Sequence, residues 1–113
     1  MTSLTACLGD IEHTYDSIDS LTKPESVDTG LLTGPAFSWI KPEPFGVCLV
    51  LGAWNYPLPT SLPMVATALA AGNCVCLKPS ELSPNTSNVM AKLFKNYLDN
   101  SALICLEGAI EIA

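Results

Sequence analysis

The fold class is decided by the run Gly46-Val47-Cys48-Leu49-Val50-Leu51, which is followed at once by Gly52-Ala53-Trp54-Asn55-Tyr56-Pro57. The first six residues are continuously apolar and rich in residues that favour β-structure. Such a run is typical of a strand that is covered on both faces, as in a parallel sheet. Gly52 ends the run abruptly, so the sequence predicts a strand and a turn at this point.

The pattern repeats twice along the chain. An apolar helix is predicted over residues 64–71, where Gly72-Asn73 follows as a C-cap, and a second buried strand over residues 74–77. Ser83 and Pro84 predict an N-cap and a first helical position. The apolar face of that helix comprises Val89, Met90, Leu93, Phe94, Tyr97 and Leu98. A third strand is predicted over residues 102–106. Strands that alternate with crossover helices predict an α/β fold, the βαβαβ half of a doubly wound, Rossmann-like parallel sheet.

The segment before this unit has a different pattern. Apolar residues recur at helical spacing near the N-terminus, at Leu4, Leu8, Ile11, Tyr15, Ile18 and Leu21. Pro24 ends that helix because the residue before a proline avoids helical geometry. We therefore divide the chain into an N-terminal helix (1–22), an extended connector with one strand (23–44) and a partial dinucleotide-binding domain (45–113).

Composition limits what the chain can do alone. It has 113 residues, of which 49% are hydrophobic and only 14% are charged. A domain of this size buries only about two-thirds of the surface of its unfolded chain. The excess of apolar surface predicts that another domain, a subunit partner or further sequence covers it.

Charge and cysteine content narrow the class further. Five Lys and Arg oppose eleven Asp and Glu, and the net charge of -6 argues against nucleic acid as a partner. The five cysteines are an odd number and no secretory leader precedes them, so we expect a reducing, cytoplasmic setting. The apolar runs are much shorter than the roughly 20 residues of a membrane span.

Ligands bind at the carboxyl ends of the strands in such sheets, which directs attention to three turns. They are the turn from Gly52 to Pro57, the turn Lys78-Pro79-Ser80-Glu81, and the turn Glu107-Gly108-Ala109. The residues alone leave alternatives open. Asn55 could cap the next helix, and Lys78 with Glu81 could form a surface pair worth about 0–1 kcal/mol. The segment Cys74-x-Cys76 fits small hydrophobes on one face of a strand better than a metal site.

Taken together, these turns resemble those of the aldehyde dehydrogenase superfamily. The segments GAWNYP (52–57), AAGN (70–73) and KPSE (78–81) occur in the order and spacing of its class-3-type branch, which includes the fatty aldehyde dehydrogenases. The connector residues Lys23-Pro24-Glu25 are also similar to that branch, so the resemblance covers nearly the whole chain. One departure is Gly108-Ala109, where the branch usually has two glycines.

The resemblance implies roles for individual residues. Asn55 would be the catalytic side chain, whose amide donates a hydrogen bond to the oxyanion that forms when a thiolate attacks an aldehyde. The remaining implied residues bind the cofactor, namely Leu51, Gly52, Ala53, Trp54, Lys78, Ser80, Glu81 and Gly108. Lys78 and Glu81 would hold the adenosine ribose. A carboxylate there would repel a 2′-phosphate, which favours NAD as the cofactor and leaves NADP possible.

The resemblance also implies the function of the complete protein, an enzyme that oxidises an aldehyde substrate to a carboxylic acid and forms a homodimer. The family's phosphate-binding glycine turn, general-base glutamate and nucleophilic cysteine are expected beyond residue 113. We therefore expect an N-terminal fragment that is inactive alone. The alternatives are a non-catalytic nucleotide-binding or subunit-interaction module and a non-functional truncated product. Membrane association of a full-length protein is left open.

Overall fold

The computed structural model of the chain describes residues 3–109 and 111–112. Predictions that extend to residues 1, 2, 110 and 113 lie outside the described residues. The elements, in chain order, are α1 (Ser3–Thr22), β1 (Glu25–Val27), β2 (Ser38–Ile40), β3 (Val47–Leu51), α2 (Leu62–Ala70), β4 (Cys74–Lys78), α3 (Pro84–Tyr97) and β5 (Leu103–Cys105). A single 3-10 turn at Leu31–Thr33 lies between β1 and β2.

Strands β3, β4 and β5 form a parallel sheet with β4 in the centre. Leu51 is the register partner of Lys78, and Leu77 is the partner of Cys105. Two backbone hydrogen bonds extend the pairing at the carboxyl ends, from Gly52 N to Lys78 O at 2.9 Å and from Leu106 N to Leu77 O at 2.8 Å. The α/β fold with a parallel sheet is therefore confirmed, and the turns after the three strands leave the sheet at the same edge.

The core lies on one face of this sheet. Its buried members come from α2, α3, β4 and β5. They are Val65, Val75, Leu77, Met90, Phe94 and Leu103. The opposite face is open, since Val47, Leu49 and Leu51 are 76%, 63% and 62% exposed. The prediction that β3 is covered on both faces is thus wrong for the described residues, because both crossover helices pack against the same face.

The connector contains two strands, although we predicted one. β1 and β2 pair antiparallel, with Glu25 opposite Ile40 and Val27 opposite Ser38, and they form a ribbon separate from the main sheet. The N-terminal helix ends at Thr22, where Pro24 predicts its end, and packs along α2. The division of the chain into three segments stays a prediction.

The start of α3 also differs from the prediction. Ser83 occupies the N-cap position before Pro84, but its side chain makes no cap hydrogen bond. The hydroxyl instead donates to the carbonyl oxygen of Ser80 at 3.3 Å. The predicted apolar face is narrower as well, because of its six members only Met90 and Phe94 are buried. The tight turn before α3 competes successfully for the serine hydroxyl.

Asn73 explains the AAGN segment as a structural element. Its Nδ2 donates to Ala68 O at 3.0 Å, and its Oδ1 accepts from Gly46 N at 3.0 Å. Gly72, which has a φ of 87°, makes the left-handed turn that ends α2. The buried amide thus joins the end of α2 to the residue that precedes β3 and fixes both helix and strand.

Cys105, at the end of β5, predicts a dependence of stability on pH. Burial, and next to it the charge of Glu107, raises the pKa of the thiol from an ordinary 9.0 to about 11. Because the folded-state pKa lies above the unfolded value, the folded chain favours the neutral thiol. The contribution of this thiol to the free energy of unfolding is therefore complete below pH 9 and is lost as the pH rises through about 11. Urea unfolding at pH 8 and pH 10.5 should show a smaller loss of stability in Cys105→Ala than in the unsubstituted chain. Equal losses in both would contradict this pKa.

Candidate functional site

The three turns identified from the sequence meet at the carboxyl edge of the parallel sheet. The strand register places the first residue of the turn after β3 beside the last residue of β4, and the Gly52 N–H donates to the Lys78 carbonyl. The turn after β5 starts with a hydrogen bond from Leu106 to Leu77. The predicted site residues therefore lie on one edge and not on opposite sides of the molecule.

The turn after β3 presents Asn55 to solvent. Asn55 is exposed, and within residues 3–109 and 111–112 its side-chain amide has no hydrogen-bond partner. The capping alternative is wrong, because α2 begins at Leu62 with Ser61 as its N-cap residue. Tyr56, directly after Asn55, has a φ of 55°. A residue with a bulky side chain rarely adopts this left-handed geometry, which is enriched at functional sites.

Gly52 is in close contact with the start of α2. A Cβ atom at Gly52 would collide with the Oγ of Ser61, while Pro79 Cα would lie 3.4 Å away. Ser61 is fully buried, and its Oγ has no hydrogen-bond partner among the described residues. The missing side chain of Gly52 therefore serves packing against Ser61, whatever it contributes to ligand approach.

This contact predicts a non-additive pair of substitutions. Gly52→Ala should lower the free energy of unfolding by about 1–3 kcal/mol through overpacking. Ser61→Ala alone should cost little, because it removes a buried hydroxyl that lacks a partner. The double variant should recover most of the loss, since the colliding oxygen is gone. Urea unfolding of the four chains measures this, and strictly additive losses would show that the two residues do not compete for the same space.

The turn after β4 holds an ion pair. Lys78 Nζ lies 3.3 Å from Glu81 Oε2, and the two side chains are 10% and 44% exposed. The pKa of the Glu81 carboxyl is lowered, first by a hydrogen bond from its own backbone N–H and then by the hydrogen bond and charge of Lys78. The carboxylate is thus ionised at neutral pH. The burial of Lys78 separates this pair from an ordinary solvated one.

Ser80 shapes the same turn. Its Oγ accepts a hydrogen bond from Leu82 N at 3.2 Å, and its carbonyl accepts from Ser83 N at 3.2 Å. The serine hydroxyl keeps its proton available for a further acceptor, while its oxygen already holds the backbone. Ser80 therefore orients the loop that carries Glu81.

The turn after β5 is held by two carboxylates for which the sequence predicts no role. Ser87 Oγ, from α3, donates to Glu107 Oε1 at 3.0 Å, and Ala109 N donates to Glu111 Oε1 at 3.1 Å. The pKa of the Glu111 carboxyl is lowered chiefly by hydrogen bonds from its own backbone N–H and that of Ala109. The charge of Lys78 lowers it further, and the charge of Glu81 raises it. A Cβ atom at Gly108 would collide with Ile112, which accounts for glycine at that position.

Within residues 3–109 and 111–112, no three His, Cys, Asp or Glu side chains are grouped as metal ligands. Cys74 and Cys76 lie on the open face of β4, and Val75 between them is buried on the other face, as strand alternation predicts. None of the helices in the described part of the chain is long and apolar enough to span a membrane.

The parallel strand order, together with polar groups at the carboxyl edge, defines an α/β unit of the Rossmann-like, dinucleotide-binding class. The profile of the aldehyde dehydrogenase family matches residues 3–112. The chain therefore belongs to the aldehyde dehydrogenase family.

The curated relatives support the assignment of the chain to the class-3-type branch. The chain is 42% identical over 114 residues to aldehyde dehydrogenase family 3 member I1, chloroplastic, of Arabidopsis thaliana, and the match covers 95% of this chain and 21% of the relative. The chain spans only about a fifth of the length of the curated relatives it matches.

Solved structures agree with the fold. The chain superposes on a substrate-bound state of AldH from Staphylococcus aureus with a TM-score of 0.88 and 36% identity, over 93% of this chain and 23% of that one. An aldehyde dehydrogenase from Mycobacterium tuberculosis, solved in complex with NAD+, gives a TM-score of 0.75 at 32% identity, over 93% and 21% of the two chains.

Proposed function

We propose that this chain forms the first part of the NAD-binding groove of an aldehyde dehydrogenase that oxidises aldehydes to carboxylic acids. The observation that carries the proposal is the Lys78–Glu81 pair, which stands at the sheet edge beside the turn that holds Asn55. An ammonium donor and an ionised carboxylate acceptor can together bind the two hydroxyls of a ribose. Gly52, Ala53, Trp54 and Leu51 would line the path of the dinucleotide, and Gly108 would approach it from the third turn.

In this proposal Asn55 is the residue that takes part in chemistry. When a cysteine thiolate attacks an aldehyde carbonyl, the oxygen becomes an anion, and a neutral amide stabilises it without an opposing charge. Removal of such a donor typically costs about 10²–10³ in rate. The bound nicotinamide would supply the hydride acceptor, and hydrolysis of the resulting thioester would give the acid. The free amide of Asn55 and the left-handed φ of Tyr56 beside it support this role.

We propose that the 113 residues bind dinucleotide without oxidising aldehydes. Burial, and next to it the charge of Asp10, raises the pKa of Cys7, and burial raises that of Cys105 to about 11, so neither thiol readily forms the nucleophilic thiolate. Cys48 and Cys74 lie toward the amino ends of their strands, away from the proposed groove.

A second candidate is a non-catalytic module that pairs with another polypeptide. The open apolar face at Val47, Leu49 and Leu51 favours it, since exposed apolar surface of this kind normally meets a covering layer. The five free thiols suit the reducing cytoplasm that we propose as its location. For the complete enzyme, membership in the family supports an aldehyde substrate, and we propose that it forms a homodimer.

The cofactor preference predicts a specific effect of Glu81→Gln. The carboxylate should repel the 2′-phosphate of NADPH and accept hydrogen bonds from the ribose of NADH. The glutamine amide should therefore weaken NADH binding and reduce the ratio of the affinities for NADH and NADPH about 10-fold, which corresponds to roughly 1.4 kcal/mol. Fluorescence titration with both nucleotides measures this ratio. An unchanged ratio would mean that Glu81 does not face the 2′ position.

The proposed function is tested on the purified 113-residue chain by two assays. Titration with NADH should show saturable binding, and incubation with NAD and an aldehyde should form no NADH. Glu12→Gln, which alters an exposed carboxylate of α1 outside the three turns, serves as a charge-matched control for Glu81→Gln. Absence of NADH binding by the folded chain would refute the groove, and aldehyde-dependent NADH formation that survives further purification would refute the lack of turnover.

A further inference from the structure

The loop that carries Asn55 has little side-chain packing to hold its shape. Trp54 and Tyr56, on either side of Asn55, are 62% and 70% exposed. Tyr56 also has a left-handed φ of 55°, which is disfavoured for a residue with a Cβ atom. A loop of this kind keeps one conformation only if its backbone is tied at both ends.

Thr60 makes both ties. Its Oγ1 donates to Tyr56 O at 3.0 Å, and its backbone N–H donates to the same oxygen at 3.1 Å. Its Oγ1 also accepts from Ala53 N, at 3.4 Å. Ala53 and Tyr56 bracket Trp54 and Asn55, so one hydroxyl closes the loop around the proposed oxyanion donor.

Ser61, the residue after Thr60, packs against the start of the same loop. Ser61 is fully buried against Gly52, and the backbone N–H groups of Ser61 and Leu62 both donate to Leu58 O, at 3.1 and 2.9 Å. The position of Thr60 is therefore set by a tight turn that leads into α2. Its hydroxyl lies where it can bridge Ala53 and Tyr56.

We propose that Thr60 is a positioning residue, which presets the Gly52–Tyr56 loop so that the Asn55 amide points at one place before any ligand binds. The inference rests on the proposed function, because it is the oxyanion role that makes a fixed amide useful. Preorganised donors stabilise a developing charge without reorganising during the reaction. In this chain Thr60 would thus act through Asn55 and would not touch the substrate.

The experiment is amide NMR on the 113-residue chain, without ligand, on three variants. Thr60→Val removes the hydroxyl and keeps the shape, and Thr60→Ser keeps the hydroxyl and removes the methyl group. Thr67→Val is the matched control, because Thr67 Oγ1 also donates to a backbone carbonyl, that of Pro63 at 2.9 Å, but within α2. Hydrogen exchange at Ala53 N–H and the order parameter of the Asn55 side-chain amide are measured.

We expect Thr60→Val to speed exchange at Ala53 by about fivefold and to lower the order parameter of the Asn55 amide, with Thr60→Ser close to the unsubstituted chain. Thr67→Val should leave both values unchanged. Equal values in Thr60→Val and Thr67→Val would overturn the inference. Exchange at Ala53 that is about fivefold faster in Thr60→Ser than in the unsubstituted chain would overturn it too, and this comparison holds even if Thr60→Val folds poorly. None of these readouts depends on NADH binding, so failure of the proposed function remains distinguishable.

Discussion

Lys78→Met is expected to weaken NADH binding by the 113-residue chain about 10- to 100-fold. Methionine keeps the length and apolar stem of the side chain, which is 10% exposed, and removes only the ammonium group. A charge-assisted hydrogen bond contributes roughly 1.5–3 kcal/mol, and each 1.4 kcal/mol is a factor of ten in affinity. Fluorescence titration or calorimetry measures the dissociation constant.

The control for this substitution is Lys95→Met, in the last turn of α3. Lys95 is exposed and lies on a different part of the chain, so the change in net charge is the same while the groove is untouched. Affinity should stay within about twofold of the unsubstituted chain for this variant, since only screened long-range attraction changes. Equal weakening by both substitutions would mean that Lys78 contributes general charge and not a specific contact.

Leu77→Ala is expected to lower the free energy of unfolding by about 2–5 kcal/mol. Leu77 is 0% exposed in the central strand and packs in the cluster that joins the sheet to both crossover helices. Deletion of its buried methyl groups loses hydrophobic transfer energy and leaves a cavity. Small domains have little stability in reserve, so thermal unfolding followed by circular dichroism should show a large fall in Tm.

Leu49→Ala is the matched control, because Leu49 lies on the open face of the same sheet and is 63% exposed. Its substitution should change stability by no more than about 0.5 kcal/mol. A larger loss for Leu49→Ala than for Leu77→Ala would show that the face described as open is in fact covered, and would reverse the arrangement of the layers.

The sequence predicts the parallel sheet and its first two turns well, because the apolar runs of β3 and β4 each end at a residue that breaks the pattern. Gly52 ends β3, and Lys78 ends β4. The face that stays open is not predictable in the same way. A continuous apolar run such as Val47 to Leu51 fits coverage on both faces, and local periodicity cannot say where the crossover helices will pack.

Some residues of the candidate site can also be predicted from the sequence and others cannot. Asn55, Lys78 and Glu81 are found from motif and position, since the carboxyl ends of parallel strands converge. Thr60 and the tie between Ser87 and Glu107 are not found, because hydroxyl-to-backbone and hydroxyl-to-carboxylate bonds carry no periodic signal. Ser83 misleads for a related reason, since a serine before a helix can bond either into the helix or back to the turn.

The central claim is that three turns at one sheet edge form a single dinucleotide surface. It is tested most directly by titrating the isotope-labelled 113-residue chain with NADH and mapping the amide shifts. We expect saturable shifts, with one dissociation constant, in the turns that begin at Gly52, Lys78 and Glu107, and none in the cavity of about 170 Å³ between α1 and α2. Shifts that cluster at that cavity, or that spare the turn after β4, would contradict it.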